Sequence, residues 1–368
     1  MSVTSNDNPF ADALLDWYER TGVQLPWRAH GEPAPERAYH VWLSEIMLQQ
    51  TQVETVRPYY ARFLAAYPSV QALAAAPLDD VLKLWEGLGY YSRARLLHRA
   101  AQVVAAQGGV FPGDVPALMA LPGIGRYTAG AITSIAFGQR APVLDGNVVR
   151  VYSRVFDLPD EVGTPAAQAR LWTLAETLLP ETRPGDYNQA LMDLGRLICR
   201  PRAPRCDVCP IRAHCLACAR GTQALRPVKA ARASTPHYDV TAGLIWNDAG
   251  ELLIAQRPLE GLLGGLWEFP GGKQEPGESL QACLQRELRE ELAIEVEVGE
   301  RFALVRHAFT HFRITLHAFT CRYLTGAPQR LGVHDWAWVR PEALGRYAFG
   351  KADRQVIALL EAQRGMLL

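Results

Sequence analysis

Four cysteines follow one another as Cys199-x6-Cys206-x2-Cys209-x5-Cys215. A loop this rich in thiols is held by sulfur chemistry rather than by apolar packing. Disulfides are the first reading, but they belong to oxidising compartments. The start of the chain, MSVTSNDNPFADALLDWYER, has neither a basic n-region nor an apolar h-region, so a cytoplasmic location is expected. Zinc is the next reading, since Cys206-x-x-Cys209 alone could form half of a zinc site. Cys218, Cys283 and Cys321 fit no such spacing and read as ordinary buried cysteines. Around the array lie Arg196, Arg200, Arg202, Arg205, Arg212, Arg220, Arg226, Lys229 and Arg232, against one nearby acid, Asp207. Such a run is either a solvated face or a phosphate clamp.

The chain changes texture once. From about residue 8 to 216 apolar residues recur at intervals of three and four, as in PFADALLDWYERTG, VRPYYARFLAAYP, LDDVLKLWEGLGYYSRARLLHRAAQVVAAQG and TPAAQARLWTLAETLLP. From about 237 to 368 short β-rich runs replace them: DVTAGLIWN, ELLIAQRP, FALVRHAFT and RITLHAFTCRYL, around one helical stretch, SLQACLQRELREEL. Residues 217–236 are small, basic and aperiodic, as an interdomain linker is. The expectation is a multidomain protein with an all-α domain at 8–216, a linker at 217–236 and an α+β domain at 237–368. No apolar run approaches the roughly 20 residues a membrane span needs. The formal charge is +0, so a nucleic-acid partner would be held by local basic patches and not by a global field.

Two further stretches in the helical half carry chemistry. In LPGIGRYTAGAITSIAF (121–137) Gly123 and Gly125 sit between two helical runs, where glycine lets backbone approach a phosphate and N–H groups of the next helix face it. In VLDGNVVRVYSR (143–154) Asp145 precedes Gly146, Asn147 and a helical run, a common place for an N-cap. Taken with the full cysteine spacing, these motifs resemble the endonuclease III superfamily of helix-hairpin-helix DNA glycosylases. The resemblance implies that Cys199, Cys206, Cys209 and Cys215 hold a [4Fe-4S] cluster in a loop at 199–215. It also makes Asp145 the catalytic aspartate, placed to stabilise or trap an oxocarbenium-like sugar.

VWLSEIMLQQTQV (41–53) carries one charged residue, Glu45, in an otherwise neutral stretch. It resembles the corresponding segment of the adenine DNA glycosylase (MutY) branch. There the glutamate protonates the departing adenine, and burial would keep its proton available near neutrality. Bifunctional relatives carry a Schiff-base lysine where this chain has Tyr127, and before the linker Lys83 is the one lysine, so strand cleavage is not expected. The same resemblance places Gln50 in the duplex at the extruded base and makes Tyr90 in EGLGYYSRAR a stacking wedge. It puts Arg28 in LPWR and Gln189 in NQALMDLG at the adenine, and Asn147 beside Asp145.

The C-terminal half resembles a Nudix-like fold that reads 8-oxoguanine, with Phe309, Thr310 and His311 matching the family's Phe-Ser-His loop and threonine keeping the hydroxyl. The resemblance implies a monofunctional enzyme, cytoplasmic and nucleoid-associated, that acts as a monomer on double-stranded DNA with adenine opposite 8-oxoguanine or guanine. One departure is that the Nudix box is almost intact: Gly272-x5-Glu278-x7-Arg286-Glu287-x-x-Glu290-Glu291. Glu287, Glu290 and Glu291 share a helix face and could bind magnesium. The alternative function is therefore a nucleotide-pool hydrolase fused to a helical DNA-binding module.

Overall fold

In the computed structural model residues 8–28, 33–230 and 234–365 are described. Arg232 of the basic run lies outside them. By contacts the chain divides into two units, one made of Met1–Ala75 with Arg99–Arg232 and the other of Ala76–His98 with Ala233–Leu368. Residues 76–98, helical in pattern, thus count with the β-rich half.

The first unit is built on short helices whose ends follow their capping chemistry. They are α1 (Pro9–Thr21), α2 (Ala34–Leu48), α3 (Val53–Ala66) and α4 (Val70–Ala75). The run expected at 78–108 as one helical stretch is two, α5 (Leu78–Trp85), which counts with the second unit, and α6 (Ser92–Ala106), which begins there. Gly87 and Gly89, at φ 93° and 78°, break it. Next come α7 (Val115–Met119), α8 (Arg126–Ala131), α9 (Gly146–Val155), α10 (Pro165–Leu178), α11 (Pro184–Leu197) and α12 (Leu216–Arg220). Asn8, Asp114, Asp145 and Thr164 each accept a backbone N–H at the start of α1, α7, α9 and α10.

Helix α11 is the pillar of this unit and packs on α1 and α9. Tyr187, Ala190, Leu191 and Leu194 bury one side of it completely, while Asn188, Gln189 and Asp193 are buried polar residues of the same helix. Two glycines bring it close to its neighbours: a Cβ on Gly185 would lie 2.5 Å from the Ser134 carbonyl, and one on Gly195 would lie 2.6 Å from Asn147 Cβ. The second approach fixes the N-terminus of α9, and with it Asp145.

Residues 217–228, expected as linker, are in fact fastened to the helical unit. Asp157 accepts from Thr222 Oγ1 at 2.7 Å and pairs with Arg220 at 3.1 Å and Arg226 at 2.9 Å. The basic character that suggested a linker is here the means of attachment.

The second unit is a mixed sheet between two helices. Its strands are β1 (His237–Trp246), β2 (Leu252–Gln256), β3 (Trp267–Glu268), β4 (Glu295–Ala308), β5 (Arg313–Thr325) and β6 (Asp335–Val339), in the order β3-β2-β1-β5-β4 with β6 also paired to β2. The β1–β5 pair is parallel, with His237 opposite Arg313; β4–β5 is antiparallel with bulges. Strand side chains alternate between two cores. Leu244, Leu252 and Ile254 join Val356 and Ile357 of α14 (Lys351–Gly365) on one face. Ile245, Leu253 and Ala255 join Leu284, Leu288 and Leu292 of α13 (Leu280–Leu292) on the other. A sheet covered on both faces reads as near-continuous apolar runs, which is why β1 and β2 were legible.

The close approach of Gly195 to Asn147 gives a test. Gly195→Ala should destabilise the protein by roughly 1–3 kcal/mol, because an added methyl forces α9 and α11 apart. Thermal denaturation checks it, and an unchanged melting temperature would contradict the packing described.

Candidate active site

A cleft of about 750 Å³ opens in the helical unit, lined by residues of α2, α8, α9 and α11 and by the turns around Arg28 and Gln50. Glu45 projects into it from α2, where the surrounding Val41, Trp42, Leu43, Ile46 and Met47 are all buried. Only 5% of Glu45 is exposed. The Tyr127 hydroxyl, from α8, donates to its carboxylate and also lies 3.2 Å from the Met192 sulfur. Burial pushes the Glu45 carboxyl up from 4.5 to about 7; the Tyr127 hydrogen bond opposes this, the Asp145 charge reinforces it and Arg28 weakly opposes it. Tyr127, half-buried at the cleft wall, is held well above the ordinary tyrosine value by desolvation and by the neighbouring Glu45 and Asp145.

Asp145 lines the same cleft but in a different environment. One of its oxygens accepts the backbone N–H of Asn147 at 3.0 Å and of Val148 at 2.7 Å; the other accepts the Asn147 side-chain amide at 2.7 Å. Burial raises its pKa, while the Val148 and Asn147 donors and the Arg150 charge pull it back down. The residue is thus both N-cap and cleft carboxylate. Asn147 is fixed in turn by Arg150, which donates to its amide oxygen at 2.8 Å.

Arg28 reaches the cleft with its guanidinium engaged. It donates to Asp193 of α11 at 2.5 and 3.3 Å and lies 5.9 Å above the Tyr18 ring. Gln189 is 4% exposed, lines the cleft and donates weakly to the Gly185 carbonyl at 3.3 Å. Gln50 is exposed at the cleft mouth in the left-handed conformation, φ 57°, uncommon for a side-chain-bearing residue. Gly123, at φ 75°, makes the turn between α7 and α8; Gly125 begins α8 in an extended conformation that any residue can adopt.

In the second unit, Tyr90 is 42% exposed, also left-handed at φ 50°, and its hydroxyl is 2.8 Å from Thr310 Oγ1. Thr310 and His311 are exposed at the tip of the β4–β5 turn, which Phe309 N closes on the Phe312 carbonyl at 2.8 Å. Phe309 and Phe312 stack with centroids 4.6 Å apart. A separate cavity of about 420 Å³ brings together Glu268, Glu287, Glu291 and Asp353 beside Arg257 and Lys273. Burial and the neighbouring carboxylates hold Glu291 up to about 8 and Asp353 up to about 7. Glu290 does not join them. It is largely exposed and pairs with Arg286, which also binds Glu278 and Glu287.

The four cysteines of the array line one cavity, whose other walls include Val151, Val155, Leu194 and Ile198. All are free thiols. Arg154 of α9, 2% exposed, clamps the loop, donating to Cys199 Sγ at 3.3 Å, to the Arg200 carbonyl at 2.8 Å and to the Pro201 carbonyl at 3.1 Å. Cys218, read from spacing as an ordinary buried cysteine, needs correcting. It is half-buried on α12 and lines this cavity. The interval Cys215-x2-Cys218 repeats that of Cys206-x2-Cys209 and was the available signal. Arg154 and Asp193 were also missed, because each acts on a partner far away in sequence. Among the described residues no three His, Cys, Asp or Glu side chains gather tightly enough to hold a single ion. None of the described helices is long and apolar enough to cross a membrane.

Two family models match the chain. Residues 43–177 match the HhH-GPD superfamily of base excision DNA repair proteins, and residues 241–359 match the NUDIX domain. The adenine DNA glycosylase of Homo sapiens is 36% identical, over 96% of this chain and 74% of its own length. That of Mus musculus is 37% identical, over 96% and 78%. The solved structure of a thermostable thymine-DNA glycosylase superposes with a TM-score of 0.52 at 30% identity, covering 58% of this chain and 97% of that one.

The Glu45 environment sets a pH dependence of stability. The fold favours the protonated carboxyl, so this contribution is fully present below pH 4.5 and is lost as pH rises through about 7. Ionising it in place costs about 3 kcal/mol by pH 8. Glu45→Gln, which keeps an acceptor for Tyr127, should therefore raise the melting temperature more at pH 8 than at pH 5. Equal shifts at the two pH values would contradict the buried, proton-holding carboxyl.

Proposed function

The chain belongs to the adenine DNA glycosylase family, and from that premise we propose that it excises adenine mispaired with 8-oxoguanine, and with guanine, without cutting the strand. The observation that carries this reading is the pair of cleft carboxyls in different environments: Glu45 is buried and keeps its proton near neutrality, while Asp145, whose pKa burial also raises, accepts two backbone N–H groups and an amide that oppose that rise. Such a pair divides acid and electrostatic roles. The Glu45 proton goes to N7 of the extruded adenine, the electron pair of the glycosidic bond leaves with the base, and the developing sugar cation faces the Asp145 carboxylate. Water completes the hydrolysis. Tyr127 holds Glu45 and, having no amine, forms no Schiff base. Arg28, Gln189 and Asn147 line the base pocket, and Gln50 and Tyr90 enter the duplex. Their left-handed backbones support that reading, since strain of this kind collects at sites of function. Gly123 and Gly125 bring the α7–α8 turn to the phosphates.

Cys199, Cys206, Cys209 and Cys215 would hold the [4Fe-4S] cluster. Free thiols lining one cavity, with Arg154 donating to one of them, are the donor set such a cluster takes. When bound, the cluster supplies negative charge that the Arg154 guanidinium balances, and it ties the basic loop to α9. Phe309, Thr310 and His311 would read the 8-oxoguanine, Thr310 being fixed by Tyr90. In the Nudix box, Arg286 engages Glu278, Glu287 and Glu290, which supports an inherited scaffold over a working hydrolase.

Single-turnover excision from duplexes with adenine opposite 8-oxoguanine tests the chemistry. Glu45→Gln should lower the rate by roughly 10²–10⁴-fold with DNA binding retained. Asp145→Asn, which keeps the N-cap, should lower it roughly a hundredfold. Rates within twofold of wild type in either variant would refute its role. For the reading loop, alanine at Phe309, Thr310 and His311 together should shrink the preference for 8-oxoguanine over guanine by roughly ten- to a hundredfold; an unchanged ratio would remove the C-terminal unit from lesion recognition.

A further inference from the structure

The turn that presents Tyr90 is strained and needs to be held. Gly87 and Gly89 stand at φ 93° and 78° and Tyr90 itself at φ 50°, so left-handed residues crowd the turn and one of them carries a ring. Arg93, buried, closes it from inside: its guanidinium donates to the Gly89 carbonyl at 3.1 Å and lies 5.3 Å from the centroids of the Trp85 and Tyr90 rings. Trp85 Nε1 donates to the same carbonyl at 3.0 Å. These local contacts fix the shape of the turn but not its place in the second unit. Its place is set by Glu86, the residue before it. One carboxylate oxygen accepts Arg354 Nε at 2.6 Å and the Phe349 backbone N–H at 2.8 Å; the other accepts Arg354 Nη2 and Lys83 Nζ, each at 2.8 Å. Arg354 and Lys83 also share the Tyr347 carbonyl, at 2.8 and 2.9 Å. Lys83, the one lysine before the linker, belongs to this network. None of the three charged side chains is more than 29% exposed, so the two-pronged ion pair is largely shielded from water and fixes geometry as well as charge. At the far end of the turn the Tyr90 hydroxyl meets Thr310 Oγ1.

We propose that Glu86 and Arg354 are positioning residues for the Tyr90 wedge: their ion pair pins the turn to the first residues of α14, so that the Tyr90 ring and the Thr310 hydroxyl meet the mispair as one surface. Neither residue touches DNA in this reading; both act through Tyr90. The inference rests on the wedge and reading-loop roles proposed above.

The test measures, in the full chain, single-turnover excision of adenine opposite 8-oxoguanine and opposite guanine. A second readout is the fluorescence of 2-aminopurine placed beside the 8-oxoguanine, which brightens when an inserted ring unstacks it. Glu86→Gln should shrink the ratio of the two rates by roughly ten- to a hundredfold and blunt the fluorescence rise, because the ring is presented out of place. Should that variant fail to fold, Glu86→Gln with Arg354→Gln, which removes both charges of the pair, carries the same expectation. Tyr90→Ala should shrink the ratio at least as far. In the Tyr90→Ala background, Glu86→Gln should change the ratio by less than about twofold, since nothing is left for it to position. A residue that merely stabilised the fold would lower the ratio by the same factor in both backgrounds. That outcome, or an unchanged ratio in Glu86→Gln alone, overturns the proposal. If Tyr90→Ala itself leaves the ratio and the fluorescence as in wild type, the wedge reading fails, and the proposal with it.

Discussion

A carboxyl group removed from water destabilises the fold unless it keeps its proton, and the helical unit is arranged around one that does. Glu45 stands on a helix among the buried Val41, Trp42, Leu43, Ile46 and Met47, under the Tyr127 hydroxyl, at the wall of a cleft of about 750 Å³. Everything else near it manages charge. Asp145 is supplied with three hydrogen-bond donors that favour its charged form and oppose the rise that burial imposes. The Arg28 cation is neutralised by Asp193, so it lowers the Glu45 pKa only weakly. A free arginine at that place would pull the Glu45 pKa further down.

The arrangement of helices follows from this need for fixed geometry. Asp145 caps α9, α9 is pressed against α11 at Gly195, and α11 delivers Gln189, Met192 and Asp193 to the same cleft. Further along α9, Arg150 and Arg154 reach the cysteine loop. One ten-residue helix therefore joins the Asp145 carboxylate to the cysteine loop.

Much of the site was legible in sequence because its residues lie in short local patterns. Glu45 stands out as a lone acid, Asp145 precedes a glycine and a helical run, and the array cysteines keep a fixed spacing. What was hidden depends on tertiary contact. Arg28 and Asp193 are 165 residues apart, and nothing local in either marks the pair. Arg154 looks like any helix arginine until the loop folds over it. Cys218 fell outside the expected spacing and was taken for core. The sheet was legible in β1, β2, β4 and β5, whose apolar runs are long. The two-residue β3 was not, being defined by its pairing with β2 and not by its own pattern. Composition also misled at 217–228, where basic residues that resemble a linker are anchored by Asp157 and Arg154.

The central claim is that Glu45 holds a proton at neutral pH because the fold buries it. Direct titration tests this: the carboxyl of Glu45, labelled with ¹³C and assigned through Glu45→Gln, is followed by NMR from pH 4 to 9 in the intact protein. The account gives a midpoint at about 7. A midpoint at the ordinary glutamate value would show the carboxyl ionised where the chemistry needs it protonated, and would contradict the account at its base.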